Sequence, residues 1–171
     1  MQNVVKRKSF LSVSLVLAFL LAGCASDSAK NAKSASDSLV DDNAIATDLK
    51  LSGSSDDSTA GPLKTIFFDF DSSRLSSAGK ATLEKNAMWL KGFGLVDIQV
   101  EGHSDERGGQ QYNLALGERR AKAVKDYLTA LGVASARVSV ISIGKERPNA
   151  FGHDDEAWSK NRRANFVVTA K

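Results

Sequence analysis

The feature that most constrains this chain is the alternation of strand-like and helix-like stretches that begins after Pro62. Strand-like stretches are rich in β-branched and aromatic residues or alternate apolar with polar positions, whereas helix-like stretches repeat apolar residues every three or four positions. The sequence predicts strands over 64–71, 96–102, 137–144 and 163–170, helices over about 77–91 and 111–131, and a short helical turn near 156–160.

This order of elements is typical of a two-layer α/β (α+β) sandwich. The two connecting helices predict parallel neighbouring strands with both helices on one face, and the last connection allows an antiparallel strand. We therefore expect a four-stranded mixed sheet with two main helices on one face. The second helix has the clearest core stripe, which consists of Leu114, Gly117, Ala121, Val124, Leu128 and Leu131.

A charged loop, GHSDERGGQQYN, joins the second predicted strand to the second predicted helix. Open α/β sheets usually bind ligands in the loops that leave the carboxyl ends of their strands. Asp71 closes the first predicted strand, so parallel first and second strands would bring Asp71 and Asp105 to the same edge of the sheet. Gly108 lies between Asp105 and the helix start, where backbone N–H groups are free.

The second helix adds three residues near this edge. Asn113, Leu116 and Arg120 form a stripe at three- and four-residue spacing, rotated by one residue from the core stripe. Carboxylates hold an ammonium group, while a guanidinium and free N–H groups hold a carboxylate, so this set suits a zwitterion. The predicted ligand-binding residues are Asp71, Asp105, Gly108, Asn113, Leu116 and Arg120.

Other interpretations of these residues remain open at this point. Asp105 and Arg120 are also a possible structural ion pair. The run His103-Ser104-Asp105 invites a hydrolase interpretation, but neighbours on an extended segment point to opposite faces, and triads assemble from distant positions. The chain has two histidines, His103 and His153, and one cysteine, which disfavours a metal site. We expect no catalytic residue, metal ion or cofactor.

Residues 1–23 are typical of a lipoprotein signal peptide. A basic start precedes an apolar run of about a dozen residues, which is shorter than the roughly 20 that span a bilayer. The run ends in LAGC, the junction at which bacterial lipoproteins acylate their cysteine, so Cys24 is the predicted lipidation site. Ala25 follows it rather than the aspartate of an inner-membrane retention signal, which favours the outer membrane.

Residues 24–61 are predicted to form the lipidated N-terminus and a flexible tether, because Ser, Ala, Asp and Gly dominate and aromatic residues are absent. The apolar stretch 44–51 leaves local docking open. The chain has 23 Lys and Arg against 20 Asp and Glu, and removal of the basic signal peptide would make the two counts equal. Overall charge therefore gives no reason to expect nucleic acid as a partner.

The motifs FDFDSS, VEGHSDERGGQQYNLALGERRAKAV, GKERP and WSKNRRANF, behind the lipidation motif, resemble the lipidated members of the OmpA-like family of cell-wall-binding domains. The resemblance covers residue 65 to the C-terminus and assigns 62–171 to such a domain. It implies a periplasmic, outer-membrane-anchored domain that binds the diaminopimelate of peptidoglycan without a covalent bond, through Asp71, Asp105, Asn113 and Arg120. Gly109 stands where threonine is common in the family, which implies a lost side-chain contact.

Charge complementarity pairs Asp105 with the ammonium and Arg120 with the carboxylate of diaminopimelate. The alternative is that backbone donors hold the carboxylate while Arg120 orients Asp105. The resemblance also implies TolB and TolA as partners, in a system that supports envelope integrity and cell division. Alternative functions are a stator-type wall anchor, which needs a transmembrane helix, and a wall hydrolase, which would release wall fragments.

Overall fold

The structure is a computed structural model that describes residues 52–170. The predicted signal peptide, the lipidation site Cys24 and the tether as far as residue 51 lie outside the described residues. Within the described part, no helix has the length and apolar character that crossing a membrane requires.

The described elements follow the predicted order. All four strands and both main helices are confirmed, and the predicted helical turn is a short third helix, α3. The elements are β1 Ile66–Phe67, α1 Ser77–Gly92, β2 Asp97–His103, α2 Gln110–Ala130, a 3₁₀ turn Ser135–Arg137, β3 Val138–Gly144, α3 Asp155–Asn161 and β4 Arg163–Ala170.

The four strands form one mixed sheet in the order β1-β4-β2-β3. Strands β2 and β3 are parallel, and β4 is antiparallel to both β2 and β1. Strands β1 and β2 therefore run in the same direction, as predicted, but β4 lies between them, so the expectation that they are neighbours is wrong. The sequence period shows that a segment is a strand, whereas the partners of that strand depend on contacts between distant segments.

Strand β1 is shorter than the predicted 64–71. It pairs with β4 only at Ile66 and Phe67, after which the Phe68 N–H donates to the Arg162 carbonyl. The chain then turns through Asp71, whose φ of 51° is a left-handed conformation that a strand does not contain. The acidic end of the predicted strand is therefore a loop at the edge of the sheet.

The core fills the space between the sheet and the two main helices. Leu83 and Leu90 of α1 and Val124 and Leu128 of α2 are fully buried against residues such as Phe166 of β4. The two ends of the predicted stripe on α2, Leu114 and Leu131, are only partly buried.

Helix α2 approaches the sheet most closely at two glycines. A Cβ atom on Gly102 of β2 would lie 1.8 Å from the Gly117 carbonyl oxygen, and one on Gly117 would lie 2.6 Å from the Gly102 carbonyl oxygen. Neither position has space for a side chain, so the two backbones meet directly. This contact brings the first turns of α2 against the carboxyl end of β2.

Residues 52–60, which the sequence assigns to the tether, lie along β4. The Ser52 and Ser55 N–H groups donate to Val168 and Phe166 carbonyls at 2.8 and 2.9 Å, and the Val168 N–H donates to Gly53 at 2.9 Å. Ala60 is fully buried. The folded domain therefore includes Ser52, ten residues before the predicted boundary at Pro62.

Polar contacts that the sequence does not reveal hold this segment. Asp56 and Arg163 form an ion pair at 2.8 Å, with side chains 10% and 5% exposed. The Asn165 side-chain oxygen accepts from the Ser54 and Ser55 hydroxyls at 2.9 and 2.8 Å. Each of these partners lies more than 100 positions away along the chain, so local composition favoured a tether.

Candidate ligand-binding site

A pocket of about 190 Å³ opens at the edge of the sheet, between the loop after β1, the loop after β2 and the first turns of α2. All six predicted site residues line it, as do three residues that the sequence analysis missed. The lining residues are Phe70, Asp71, Asp105, Arg107, Gly108, Tyr112, Asn113, Leu116 and Arg120.

Arg120 lines the pocket and is fully buried. Its Nε, Nη1 and Nη2 atoms donate to the carbonyls of Ser72, His103 and Asp69 at 2.8, 2.8 and 3.0 Å. Burial lowers the pKa of Arg120 to about 10, which leaves the guanidinium charged at neutral pH. Arg120 thus joins the loop after β1 to the end of β2.

Asp105 is 4% exposed and pairs with two arginines other than Arg120. Its Oδ2 atom lies 2.7 Å from Arg107 Nη2 and 3.4 Å from Arg162 Nη1. Burial alone would raise the pKa of Asp105, but the hydrogen bonds and charge of Arg107 outweigh burial and lower it. No ion pair joins Asp105 to Arg120 within residues 52–170, so the structural pairing left open by the sequence is not the one that forms.

Arg107 is the main functional candidate that the sequence analysis missed. Its guanidinium lies 4.0 Å from the ring centroids of both Phe70 and Trp158, while Nη2 holds Asp105. The Trp158 indole N–H donates to Glu106 at 2.8 Å, and His153 Nδ1 contacts the same carboxylate at 2.8 Å. The two-residue spacing between Asp105 and Arg107 is a local pattern that indicates their ion pair. The contact of Arg107 with Trp158 has no such pattern, because Trp158 lies far away along the chain.

The opposite wall of the pocket pairs Asp71 with Tyr112. The Tyr112 hydroxyl donates to the Asp71 carboxylate, and this bond raises the pKa of Tyr112. Asp71 has a positive φ, which aspartate tolerates better than most residues. Both side chains are exposed, so this wall remains open to solvent.

Polar contacts hold the loop between β2 and α2. Asn113 donates to the Arg107 and Gly109 carbonyls at 2.9 and 3.1 Å, and Lys145 donates to the Gly108 carbonyl at 2.8 Å. Gly108 has a φ of 90°, a conformation that glycine adopts without strain. Gly109 is the N-cap of α2 and provides no side-chain cap. The position at which threonine is common in the family is therefore the start of this helix.

His103 and Ser104 do not join Asp105 in a triad. His103 is 1% exposed and lies 3.6 Å from Glu101, and burial lowers the pKa of its imidazole. Neither His103 nor Ser104 lines the pocket. Among residues 52–170, no group of three or more His, Cys, Asp and Glu side chains is arranged to hold a metal ion.

The pocket therefore combines two carboxylates, two guanidinium groups and the amino-terminal end of α2. The first N–H groups of a helix lack partners within the helix and attract anions. Each Nη atom of Arg120 carries a second N–H besides the one given to a backbone carbonyl. This set can hold an ammonium and a carboxylate of one ligand at the same time.

Comparison with known proteins gives the family of this chain. Residues 67–162 match the model of the OmpA family. The chain is 43% identical to the peptidoglycan-associated lipoprotein of Brucella melitensis over 94% of this chain and 92% of that protein. It is 40% identical to the peptidoglycan-associated lipoprotein of Pseudomonas aeruginosa over 94% of this chain and 96% of that one.

Among solved structures, the peptidoglycan-associated lipoprotein from Burkholderia pseudomallei is 44% identical, with a TM-score of 0.61. The match covers 63% of this chain and 93% of that one. The expected fold and family resemblance are thereby confirmed. The chain belongs to the OmpA family and, within it, to the family of the peptidoglycan-associated lipoproteins.

Proposed function

We propose that this protein binds peptidoglycan non-covalently by holding the zwitterionic end of meso-diaminopimelate in the pocket. The observation that carries the proposal is the convergence of Asp71, Asp105 and Arg120 on one cavity at the edge of the sheet. Relatives that share 40–43% of their residues with this chain are named peptidoglycan-associated lipoproteins. The mechanism is recognition rather than turnover, and we assign no catalytic step.

The ammonium of the ligand binds between the carboxylates of Asp71 and Asp105. Both carboxylates line the pocket, and Asp105 is kept ionised by Arg107. A buried carboxylate whose charge is already stabilised needs no proton release before it accepts an ammonium. The ammonium of the ligand therefore binds Asp105 either together with Arg107 or in its place.

The carboxylate of the ligand binds to the free N–H groups of Arg120 and to the amino-terminal end of α2. Arg120 is held by three backbone carbonyls, so its guanidinium is oriented before the ligand arrives. A donor held in advance loses little conformational entropy on binding. Arg120 does not orient Asp105 in the ligand-free protein, because Arg107 and Arg162 do.

We further propose that the protein is an envelope lipoprotein held in the outer membrane by acyl chains on Cys24, with its domain in the periplasm. Two or more acyl chains make membrane attachment lasting. Because the domain begins no later than Ser52, the proposed tether contains at most residues 25–51, a length that limits its reach to about 90 Å when fully extended. TolB and TolA are its proposed protein partners.

The anchor is tested with Cys24→Ser. The variant should accumulate as unprocessed precursor without incorporated radiolabelled palmitate, and high-salt washing should release it from outer membranes. Retention of the washed variant in the outer-membrane fraction would contradict the assignment.

The ligand is tested with full-length protein in detergent and two kinds of sacculi, containing either meso-diaminopimelate or lysine. Lysine keeps the ammonium but lacks the distal carboxylate. The unchanged protein should bind the lysine type at least tenfold more weakly, which corresponds to about 1.4 kcal/mol. Asp105→Asn should weaken binding to both types, because the ammonium is common to both.

A matched control is Asp126→Asn, which removes an exposed carboxylate of α2 outside the pocket, where Lys122 lies 2.6 Å away. It should bind both sacculi as the unchanged protein does. Equal affinity of the unchanged protein for the two wall types would show that the pocket does not recognise the distal carboxylate.

A further inference from the structure

A second cavity, of about 370 Å³, lies beside the pocket and is lined by three cations, Arg74, Lys160 and Arg162. We call it the basic groove. Asp69 is the one acidic residue in its lining, and the half-exposed ring of Phe67 forms part of its wall. The excess of positive charge favours an anion in this groove.

A residue that lines the basic groove contacts a residue that lines the pocket. The Arg162 Nε atom donates to the Phe68 carbonyl at 3.1 Å, while its Nη1 atom lies 3.4 Å from Asp105 Oδ2, so one guanidinium contacts the linings of both cavities. Asp69 lines the groove and Asp71 lines the pocket. The same loop after β1 therefore contributes to both cavities.

The cations of the basic groove are available to a ligand. Arg74 is exposed, and its guanidinium makes no hydrogen bond or ion pair within residues 52–170. Lys160 contacts Glu156 at 2.7 Å, but both side chains are more than half exposed, and such pairs are weak. Ser76, the N-cap of α1, also lines the groove, and the first turn of that helix contains no acidic residue.

We propose that the basic groove is a second anion subsite that binds another carboxylate of the wall peptide whose diaminopimelate occupies the pocket. The inference rests on the proposed function and extends it from a single residue to a peptide. In a stem tetrapeptide, the α-carboxylate of D-glutamate and the C-terminal carboxylate lie one residue from diaminopimelate on either side. A peptide residue spans about 3.5 Å, and Arg162 of the groove lies 3.4 Å from Asp105 of the pocket, so a neighbouring carboxylate of the same peptide has a cation within reach.

The test compares free meso-diaminopimelate with the stem tetrapeptide, using calorimetry on the full-length protein in detergent. The unchanged protein should bind the tetrapeptide more tightly than the free amino acid. The double variant Arg74→Gln/Lys160→Gln should bind the tetrapeptide about tenfold more weakly and free diaminopimelate equally well, since exposed charge pairs contribute modestly and roughly additively. The difference should shrink at high salt.

The matched control is Lys85→Gln/Lys122→Gln. It also removes two cations, one of which belongs to an exposed pair four residues apart, Lys122 with Asp126 at 2.6 Å. It should bind both ligands as the unchanged protein does. A tetrapeptide amidated at both additional carboxylates should bind no more tightly than free diaminopimelate.

The outcomes separate this inference from the proposed function. If the groove variant retains its affinity for the tetrapeptide, or loses affinity for both ligands equally, the second subsite is overturned while binding at the pocket stands. If the unchanged protein binds neither ligand, the proposed function fails and the second subsite fails with it.

Discussion

Two clusters of charged and polar side chains, each with buried members, occupy different parts of the sheet, and they differ in how fully their groups are paired. The clamp cluster consists of Asp56, Glu101, Arg147, Arg163 and Asn165, and the pocket cluster of Asp71, Asp105, Arg107 and Arg120. In the clamp cluster, Asp56 pairs with Arg163 at 2.8 Å and Glu101 with Arg147 at 2.8 Å. In the pocket cluster, Arg120 lines the pocket, and each of its Nη atoms carries one N–H more than the one given to a backbone carbonyl.

This difference separates a structural role from a binding role. In the clamp cluster the charged groups pair with one another. These pairs hold residues 52–56 on the sheet and leave no unpaired charge for a ligand. Charges held by backbone carbonyls keep their orientation and still have donors free. Burial and charge alone therefore do not identify a binding site, whereas an oriented charge with unused donors beside a cavity does.

The largest expected effect is on the clamp cluster. Arg163→Met leaves the Asp56 carboxylate buried and unpaired, which should lower the free energy of unfolding by about 3–5 kcal/mol. Urea unfolding of the full-length chain measures this loss. The double variant Asp56→Asn/Arg163→Met should recover at least half of it, and binding to sacculi per folded molecule should be unchanged. A binding loss in the folded variant would show that the two clusters are not independent.

Arg120→Gln should affect both stability and binding. Asp105 and Arg120 are both buried, so a substitution at either residue is expected to change stability as well as binding. Loss of the guanidinium removes the donor of the buried His103 carbonyl and of the partly buried Ser72 and Asp69 carbonyls. An unsatisfied buried group costs about 1–3 kcal/mol, so we expect a total loss of about 3 kcal/mol. Binding to diaminopimelate-type sacculi should weaken at least tenfold.

Arg120→Lys provides the control for Arg120→Gln. It keeps the charge but cannot reach three carbonyls at once, so it should be destabilised while retaining part of the binding. Full stability in either variant would contradict the role of Arg120 in holding the two loops together.

Acid should weaken the clamp cluster through Glu101. Burial alone would raise the pKa of this carboxyl, but its polar partners, chiefly His103 and then Arg147, lower it from 4.5 to about 2. A lowered folded pKa contributes stability above pH 4.5, and this contribution, at most about 3 kcal/mol, is lost as pH falls towards 2. Unfolding measured from pH 6 to 2 should show a smaller acid loss for Glu101→Gln than for the exposed control Glu118→Gln.

The smallest expected effect lies at the start of α2. Gly109 has an extended N-cap conformation, and an added Cβ atom would meet nothing within 4 Å. Gly109→Ser should therefore cap the helix and raise the free energy of unfolding by a few tenths of a kcal/mol. Thermal unfolding measures this gain, and diaminopimelate binding should change less than twofold. A decrease in stability would mean that the loop needs glycine at this position.

The candidate site was predictable to different degrees. Asp71, Asp105, Asn113 and Arg120 could be assigned to one edge because strand ends and helix faces follow from local periods of two and 3.6 residues. Phe70 was not predicted because it lies between Asp69 and Asp71, and the site was predicted from charge complementarity. Arg107 was missed because its position depends on Trp158, and no local pattern relates residues so far apart.

The sequence by itself determined the order of strands and helices, the core stripe of α2 and the set of polar residues at the sheet edge. Each follows from side chains only a few positions apart, whose spacing decides which face they share. Only the tertiary structure decided that β4 lies between β1 and β2 and that residues 52–60 belong to the domain. It also decided that Arg120 is buried and donates to three backbone carbonyls. These features depend on contacts between segments distant along the chain, where burial and hydrogen-bond satisfaction outweigh local preference.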